Sequence, residues 1–241
     1  SVLLALFLGY SWFWVLLLCL CFVALTAWGA FDMRLSYFTP AFYRKKHAKD
    51  RVLALTFDDG PTAYTSEILT LLEKYNFKAT FFCIGKQVLE HPAILQRLVN
   101  EGHSVGNHTF SHSRTFGFLS RAKLVEEMRR CDDAIAQVIQ RKPKFFRPPF
   151  GVTNPSVAQA VKACKYQLIG WSNRSLDAVM LEEDKIYNRV VRKLKSGDII
   201  LFHDTAAHTV RVLERLFVYM QQEGWSSVTV DELLNLEAYE A

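Results

Sequence analysis

The chain has 241 residues, 29 of them basic and 24 acidic, for a net charge of +5. With no basic stripe interleaved with aromatics, that balance argues against a nucleic-acid partner. The five cysteines are scattered without a CxxC pair, which argues against a disulfide framework and a thiolate zinc site.

No charged residue occurs between Ser1 and Phe31. About 20 apolar residues span a bilayer, so residues 1–31 are expected to form a transmembrane segment. Trp12, Trp14 and Trp28 are aromatics of the kind that settle near the two interfaces. A cleaved signal peptide would show a basic start, a shorter apolar core and a small-residue cleavage site, and no basic start is visible. Leu18 ahead of Cys19 argues against lipid attachment there. One pass is expected, or two if residues precede Ser1 and an earlier apolar segment ends near Gly9. A basic juxtamembrane linker follows at 32–50; its Arg34, Arg44, Lys45, Lys46 and Lys49, with Arg51 just after it, suit anionic headgroups. Positive-inside logic alone would place that side in the cytoplasm.

Residues 51–236 read as one globular domain of alternating strands and helices. "VLALTFD" is strand-like and 65–75 an amphipathic helix; "KATFFCIG" is the next strand, followed by a helix at 93–101 closed by Gly102. "HSVGNHT" is a short strand entering a loop, and 120–140 a long helix with Ser120 as N-cap. "KFFRPPFG" is a strand ending in a Pro-rich turn, 154–164 a helix, "QLIGWS" a strand and 184–195 a helix. "DIILFHD" is a strand, 210–223 a helix, and "WSSVTVDELLN" a closing strand and short helix. Repeated βα units predict a parallel sheet, and about seven of them favour a barrel with its chemistry at the carboxyl ends of the strands.

Reactive side chains fall at those ends: Asp58 and Asp59, His108 and His112, Arg147, Asp177 and His203 with Asp204. The i, i+4 spacing of His108 and His112 lets one turn or a tight loop aim both imidazoles at one ion. With a neighbouring carboxylate they form a set that leaves positions open for water and substrate. At a strand end leading into Gly60–Pro61, both aspartates can reach the mouth. One can ligate a divalent metal while the other accepts the proton of the attacking water. His203 is the candidate acid for a departing amine, with Asp177 placed to orient it. Arg147 is placed to hold the catalytic carboxylate, or to close the barrel in a salt bridge with Asp177.

Together "TFDDGP" (56–61), "HTFSH" (108–112), "RPPFG" (147–151), "WSNRSLD" (171–177) and "ILFHD" (200–204) resemble the polysaccharide deacetylases of carbohydrate esterase family 4, the NodB-homology domain, over about Arg51 to Leu236. The resemblance implies a distorted (β/α)7 barrel. It makes Asp58 the general base, Asp59, His108 and His112 the metal ligands, and His203 the general acid. Arg147 matches the arginine that buttresses the base, and Asp177 the aspartate paired with the acid. The Phe150 N–H would bind the oxyanion and Leu201 line the acetyl-methyl pocket, with Pro149 and Trp171 on the substrate wall. The implied cofactor is a divalent metal, zinc first, with cobalt, nickel or manganese as alternatives.

One motif departs from the family pattern. Where it commonly has aspartate, two residues, aspartate and tryptophan, this chain has Arg174, Ser175, Leu176, Asp177 and Ala178. Arg174 there would suit an anionic or lipid-linked glycan, or a local salt bridge. The expected activity is metal-dependent N-deacetylation of a GlcNAc-type envelope glycan, peptidoglycan first. The enzyme would be tethered through its N-terminal segment to membrane lipid, with the domain on the extracytoplasmic side. O-deacetylation, deformylation of a glycolipid, a catalytically silent glycan-binding role and cyclic-amide hydrolysis are the alternatives. Oligomeric state is not legible.

Overall fold

A computed structural model describes residues 2–7, 12–48 and 50–240; Ser1, Gly9 and Lys49, named above, lie outside the described residues. Strand β1 (Val52–Asp58) is buried from Leu53 onward, as a parallel strand covered on both faces must be. It pairs in parallel with β2 (Ala79–Cys83) on one side and with β7 (Ile199–His203) on the other. The remaining strands are β3 (Ser104–Asn107), β4 (Phe145–Phe146), β5 (Gln167–Leu168), β6 (Asn173–Arg174) and β8 (Ser226–Ser227). They run in the order β5-β4-β3-β2-β1-β7-β6, with β8 paired to the foot of β1. This curled parallel sheet is the expected (β/α)7 barrel, open between β5 and β6.

The helices are α1 (Val2–Phe7), α2 (Trp12–Phe31), α3 (Ala63–Lys74), α4 (Gly85–Glu90), α5 (Pro92–Asn100), α6 (Arg121–Ile139), α7 (Pro155–Ala163), α8 (Glu183–Val191), α9 (Ala207–Gln222) and α10 (Val230–Leu234). Of the six helices given bounds after residue 50, five lie within three residues of them, and α8 ends four residues early. α3 starts two residues early because Thr62 caps it, its own N–H bonding Thr65 Oγ1 at 2.7 Å. α4 escaped prediction because six residues are too few to show a period. The predicted strands at 144–151 and 167–172 shrink to two residues each, cut short by Pro148–Pro149 and Gly170.

Alternation along β1 sorts the interior into layers. Leu53, Leu55 and Phe57 face the helices and join Ile68, Leu72 and Phe217; Phe57 stacks on Phe81 at 4.9 Å. Ala54, Thr56 and Asp58 face into the barrel. Around Ala54 the floor is apolar, with Phe82, Phe145, Ile169 and Ile199 sealed by Val230 and Leu233 of α10. Above it lies the Arg147 side chain, fully buried and 4.0 Å over the Phe82 ring. Asp58 stands at the top.

α2 has 20 residues, about 30 Å at 1.5 Å each, and is long and apolar enough to cross a membrane by length and composition. Trp12, Trp14 and Trp28 are exposed near its two ends. α1 has six residues, about 9 Å, and its Val2 lines a hollow with Leu18 and Val23 of α2.

The carboxyl end of α2 is built into the barrel. Thr153 donates from N to Ala30 O at 2.9 Å and from Oγ1 to Gly29 O at 3.3 Å. Met33 is buried with Phe116, Phe146 and Leu168. Phe42 pairs with the edge of β5, accepting from Gly170 N and donating to Leu168 O. Lys45 N reaches Gly197 O at 2.8 Å at the foot of β7, where a Cβ on Gly197 would collide with the Lys45 carbonyl. Thus residues 42–45, drawn as linker from sequence, form a strap along the open seam. Three of the basic residues counted there are paired: Arg34 with Asp32, Arg44 with Asp198 and Arg51 with Glu223.

Candidate active site

Asp58 and Asp59 both reach the mouth because the strand ends between them. Asp58 is still in register with His203 of β7, whereas Asp59 has φ 79°, which turns it out of the alternation. Gly60 follows because a Cβ there would overlap the Asp204 carboxylate.

The loop after β3 aims His108 and His112 at Asp59. It is a tight loop, with Thr109 (φ 66°) and His112 (φ 47°) left-handed. Asn107 anchors it, its Oδ1 accepting from Thr109 N at 2.8 Å and its Nδ2 lying 2.8 Å from Met128 O, Asp132 Oδ1 and Tyr166 OH. Burial lifts the Asp132 carboxyl to about 6, against the bonds from Tyr166 and Asn107. His108 Nδ1 lies 2.7 Å from the Arg147 carbonyl, which fixes the Nδ1–H tautomer and leaves the Nε2 lone pair free.

Both Nε2 atoms converge on Asp59 Oδ1, at 3.4 Å from His108 and 3.3 Å from His112. Two ligands about 2.05 Å from one tetrahedral ion sit about 3.3 Å apart. Asp59 Oδ1 is buried, with no hydrogen bond aligned on it among the described residues. An oxygen so placed between two imidazole nitrogens fits a divalent cation. Burial would raise the Asp59 carboxyl, but His108, His112 and His203 outweigh it and hold it at about 2. Burial and the neighbouring His108 depress His112.

Asp58 faces two ways. Its Oδ1 accepts from Arg147 Nη1 at 2.7 Å, and its Oδ2 lies 3.9 Å from His108 Nε2. Arg147 is anchored on every side: Nη1 also donates to Thr56 Oγ1 (2.8 Å), Nε to Ile169 O (3.0 Å) and Nη2 to Gly170 O (2.9 Å). This settles its sequence alternatives: Arg147 pairs with Asp58, not with Asp177.

Asp177 instead serves His203, which it contacts at 2.9 Å through Nδ1 and 2.8 Å through the backbone N–H. Ser175 Oγ (2.6 Å) and Thr209 Oγ1 (2.9 Å) donate to the same carboxylate, and His208 Nε2 donates to the Asp177 carbonyl at 2.8 Å. Burial alone would lower the His203 pKa; Asp177, with Asp58 and Asp59 behind it, pushes it up to about 9.

Asp58, Asp59, His108, His112 and His203 line a cleft of about 260 Å³, walled by Phe150, Trp171, Arg174, Ala178 and Val179, with Leu201 among its lining residues; Arg147 and Asp177 are buried behind it. Phe150 is left-handed (φ 60°), half exposed, and meets His112 edge-on at 4.9 Å. Pro149, expected on the substrate wall, does not line the cleft. It is buried behind it, where its fixed φ starts the turn that presents Phe150.

Sequence reasoning missed Thr56, Ser175, Thr209 and the Asn107 hub. Ser175, two residues before Asp177, was legible as a local side-chain turn; nothing marked the others. Asp204 at the end of β7 turns away from the cleft. Its Oδ2 accepts from Thr65 Oγ1 at 2.5 Å, and burial pushes its carboxyl up to about 7.

A family model described as polysaccharide deacetylase matches residues 45–169. A peptidoglycan-N-acetylglucosamine deacetylase of Bacillus cereus is 35% identical over 191 residues, covering 77% of this chain and 89% of its own. Peptidoglycan-N-acetylmuramic acid deacetylase PdaC of Bacillus subtilis is 32% identical, over 76% of this chain and 38% of its own. A solved peptidoglycan N-acetylglucosamine deacetylase, in complex with a naphthyl-substituted N-hydroxybenzamide, superposes with a TM-score of 0.76 at 28% identity, over 82% of this chain and 94% of that one.

Proposed function

The chain belongs to the polysaccharide deacetylase family, hydrolases acting on N-acetyl amide bonds, and we propose that it is a metal-dependent deacetylase of N-acetylglucosamine units in peptidoglycan, held at the membrane by α2. The observation that carries this reading is the convergence of His108, His112 and Asp59 beside a second carboxylate, Asp58, that is not part of the triad.

Asp59, His108 and His112 would hold the cation, zinc first. When bound it lowers the pKa of water and polarises the acetyl carbonyl. Asp58, steadied by Arg147, takes the proton of the attacking water through Oδ2. As water adds to the carbonyl, the N–H of Phe150 stabilises the oxyanion. Leu201 packs against the acetyl methyl, and Trp171 lies along the sugar. The C–N bond then breaks as His203 gives its proton to the departing nitrogen, leaving acetate and an amine. A His203 pKa near 9 keeps that proton in place at neutral pH.

The membrane reading is supported by the length and exposure of α2. Arg34, Arg44 and Arg51 are each paired with a carboxylate, which weakens their vote for a cytoplasmic side, so an extracytoplasmic domain facing its glycan remains the reading. Acetate release from N-acetylglucosamine oligomers and peptidoglycan by the full chain in neutral detergent tests the function. Release lost on chelation, restored by zinc and absent in Asp58→Asn is expected; chelator-insensitive release sinks the mechanism.

A further inference from the structure

A second cavity, of about 340 Å³, lies between the end of α2 and the catalytic barrel. One wall is the last turn of the apolar helix, with Trp28 and Phe31 more than half exposed. The other is cationic: Arg174, Arg189 and Lys193 line it. Its acid, Asp32, is already paired with Arg34 at 2.6 Å. Among the described residues none of Arg174, Arg189 and Lys193 is in an ion pair.

Two of the three cations are positioned. The Arg174 guanidinium lies 5.6 Å over the Trp171 ring, and Arg189 Nε donates to the Arg174 carbonyl at 2.9 Å. Like charges gathered on one cavity raise its potential and favour an anion, and guanidinium forks suit phosphate oxygens. The volume falls in the range of small-molecule sites.

The apolar wall narrows the anion to an amphiphile. A free phosphate gains nothing from Trp28 and Phe31, whereas a phosphate ester on an acyl chain covers them and runs on along α2. We propose that this cavity holds the phosphate of a membrane lipid at the foot of α2. The proposal rests on the reading of α2 as a membrane helix. Trp171 and Arg174 also line the catalytic cleft, so the lipid phosphate borders the reaction site. That gives Arg174 a purpose, since an aspartate in its place would repel the phosphate.

The test is lipid retention by the full chain in neutral detergent, read by native mass spectrometry. The probes are dihexanoyl phosphatidic acid, inorganic phosphate and dihexanoylglycerol. One equivalent of phosphatidic acid is expected to stay bound, at least tenfold more tightly than either other probe. Arg189→Gln/Lys193→Gln, and separately Arg174→Gln, should weaken it at least tenfold with the melting temperature kept. Lys86→Gln/Lys123→Gln, which removes two exposed charges elsewhere, should not. Unchanged retention in the cavity variants, or equal loss in the control, overturns the site; phosphate binding as tight as phosphatidic acid overturns the lipid source. Failure of the wild type to float with phosphatidylcholine vesicles overturns the membrane premise, and the lipid source with it. None of these readouts uses deacetylation, so failure of that activity is separately visible.

Discussion

Asp177 grips His203 at two points, Oδ1 to the ring Nδ1 at 2.9 Å and Oδ2 to the backbone N–H at 2.8 Å. The imidazole is thereby fixed in position as well as in protonation, and Nε2 is the nitrogen left to face the cleft. Ser175 and Thr209 in turn fix the carboxylate, so the pair is held before substrate arrives.

Asp177→Asn should therefore lower kcat by about 10²–10⁴-fold, the usual range for a positioned acid. The alkaline limb of the pH–rate profile should also move down from near 9 towards the ordinary histidine value of about 6.5. A cation at Asp59 offsets the contributions of Asp58 and Asp59 to that raised pKa but leaves the Asp177 contribution. Because the folded pKa lies above the unfolded one, the coupling stabilises the fold fully below about pH 6.5 and is lost as pH rises through 9. In the metal-free protein the net rise from about 6.5 to about 9, which also carries the Asp58 and Asp59 contributions, corresponds to about 3 kcal/mol. Urea unfolding at pH 6 and pH 9.5 checks this: wild type should lose stability across the window, and the variant should lose little.

Arg147 is the most exposed to single-residue damage because it is fully buried and bonded to Asp58. Arg147→Met should destabilise by about 3–5 kcal/mol, much of it from leaving Asp58 buried and unpaired. Adding Asp58→Asn should restore part of that loss without restoring activity. Equal urea midpoints for the single and double variants would show that the pair is not energetically coupled.

The two aspartates should separate in a metal-binding experiment. Asp59→Ala and His112→Ala should abolish stoichiometric zinc in the dialysed protein, as read by elemental analysis. Asp58→Asn should keep it while losing acetate release. Zinc should also raise the melting temperature of wild type and Asp58→Asn, since a ligand that binds only the folded state stabilises it. Zinc lost from Asp58→Asn as well would reassign Asp58 as a ligand.

How much of this was legible follows from sequence distance. Asp58–Asp59, His108–His112 and His203 announced themselves as reactive types at predicted strand ends, and the sheet brings them together. The supports did not. Thr56 meets Arg147 from 91 positions away and Thr209 meets Asp177 from 32, and both are ordinary buried threonines in sequence. The strap was hidden for a different reason: a basic stretch reads as solvated. Yet Phe42 pairs with Ile169, and Arg44 is partnered by Asp198 of the barrel. Pro149 was misplaced because motif membership does not say which residues of a turn face the cleft.

The segment from the end of α2 through the strap yields the last prediction. Met33 is almost fully buried in the cluster that includes Phe146 and Leu168, so the segment after α2 is part of the barrel's packing. Met33→Ala in the full chain should cost about 2–5 kcal/mol, as for other buried methionines. A truncation beginning at residue 48 removes Met33 and Phe42 together, and leaves the edge of β5 without the Phe42 bonds to Leu168 O and Gly170 N. It should melt well below a fragment beginning at residue 28 and expose more apolar surface to a hydrophobic dye. The catalytic side chains would all be present in both fragments, so a loss of activity confined to the shorter one would trace to the seam beside Trp171. Equal melting temperatures for the two fragments would mean that the strap lies on the barrel without stabilising it.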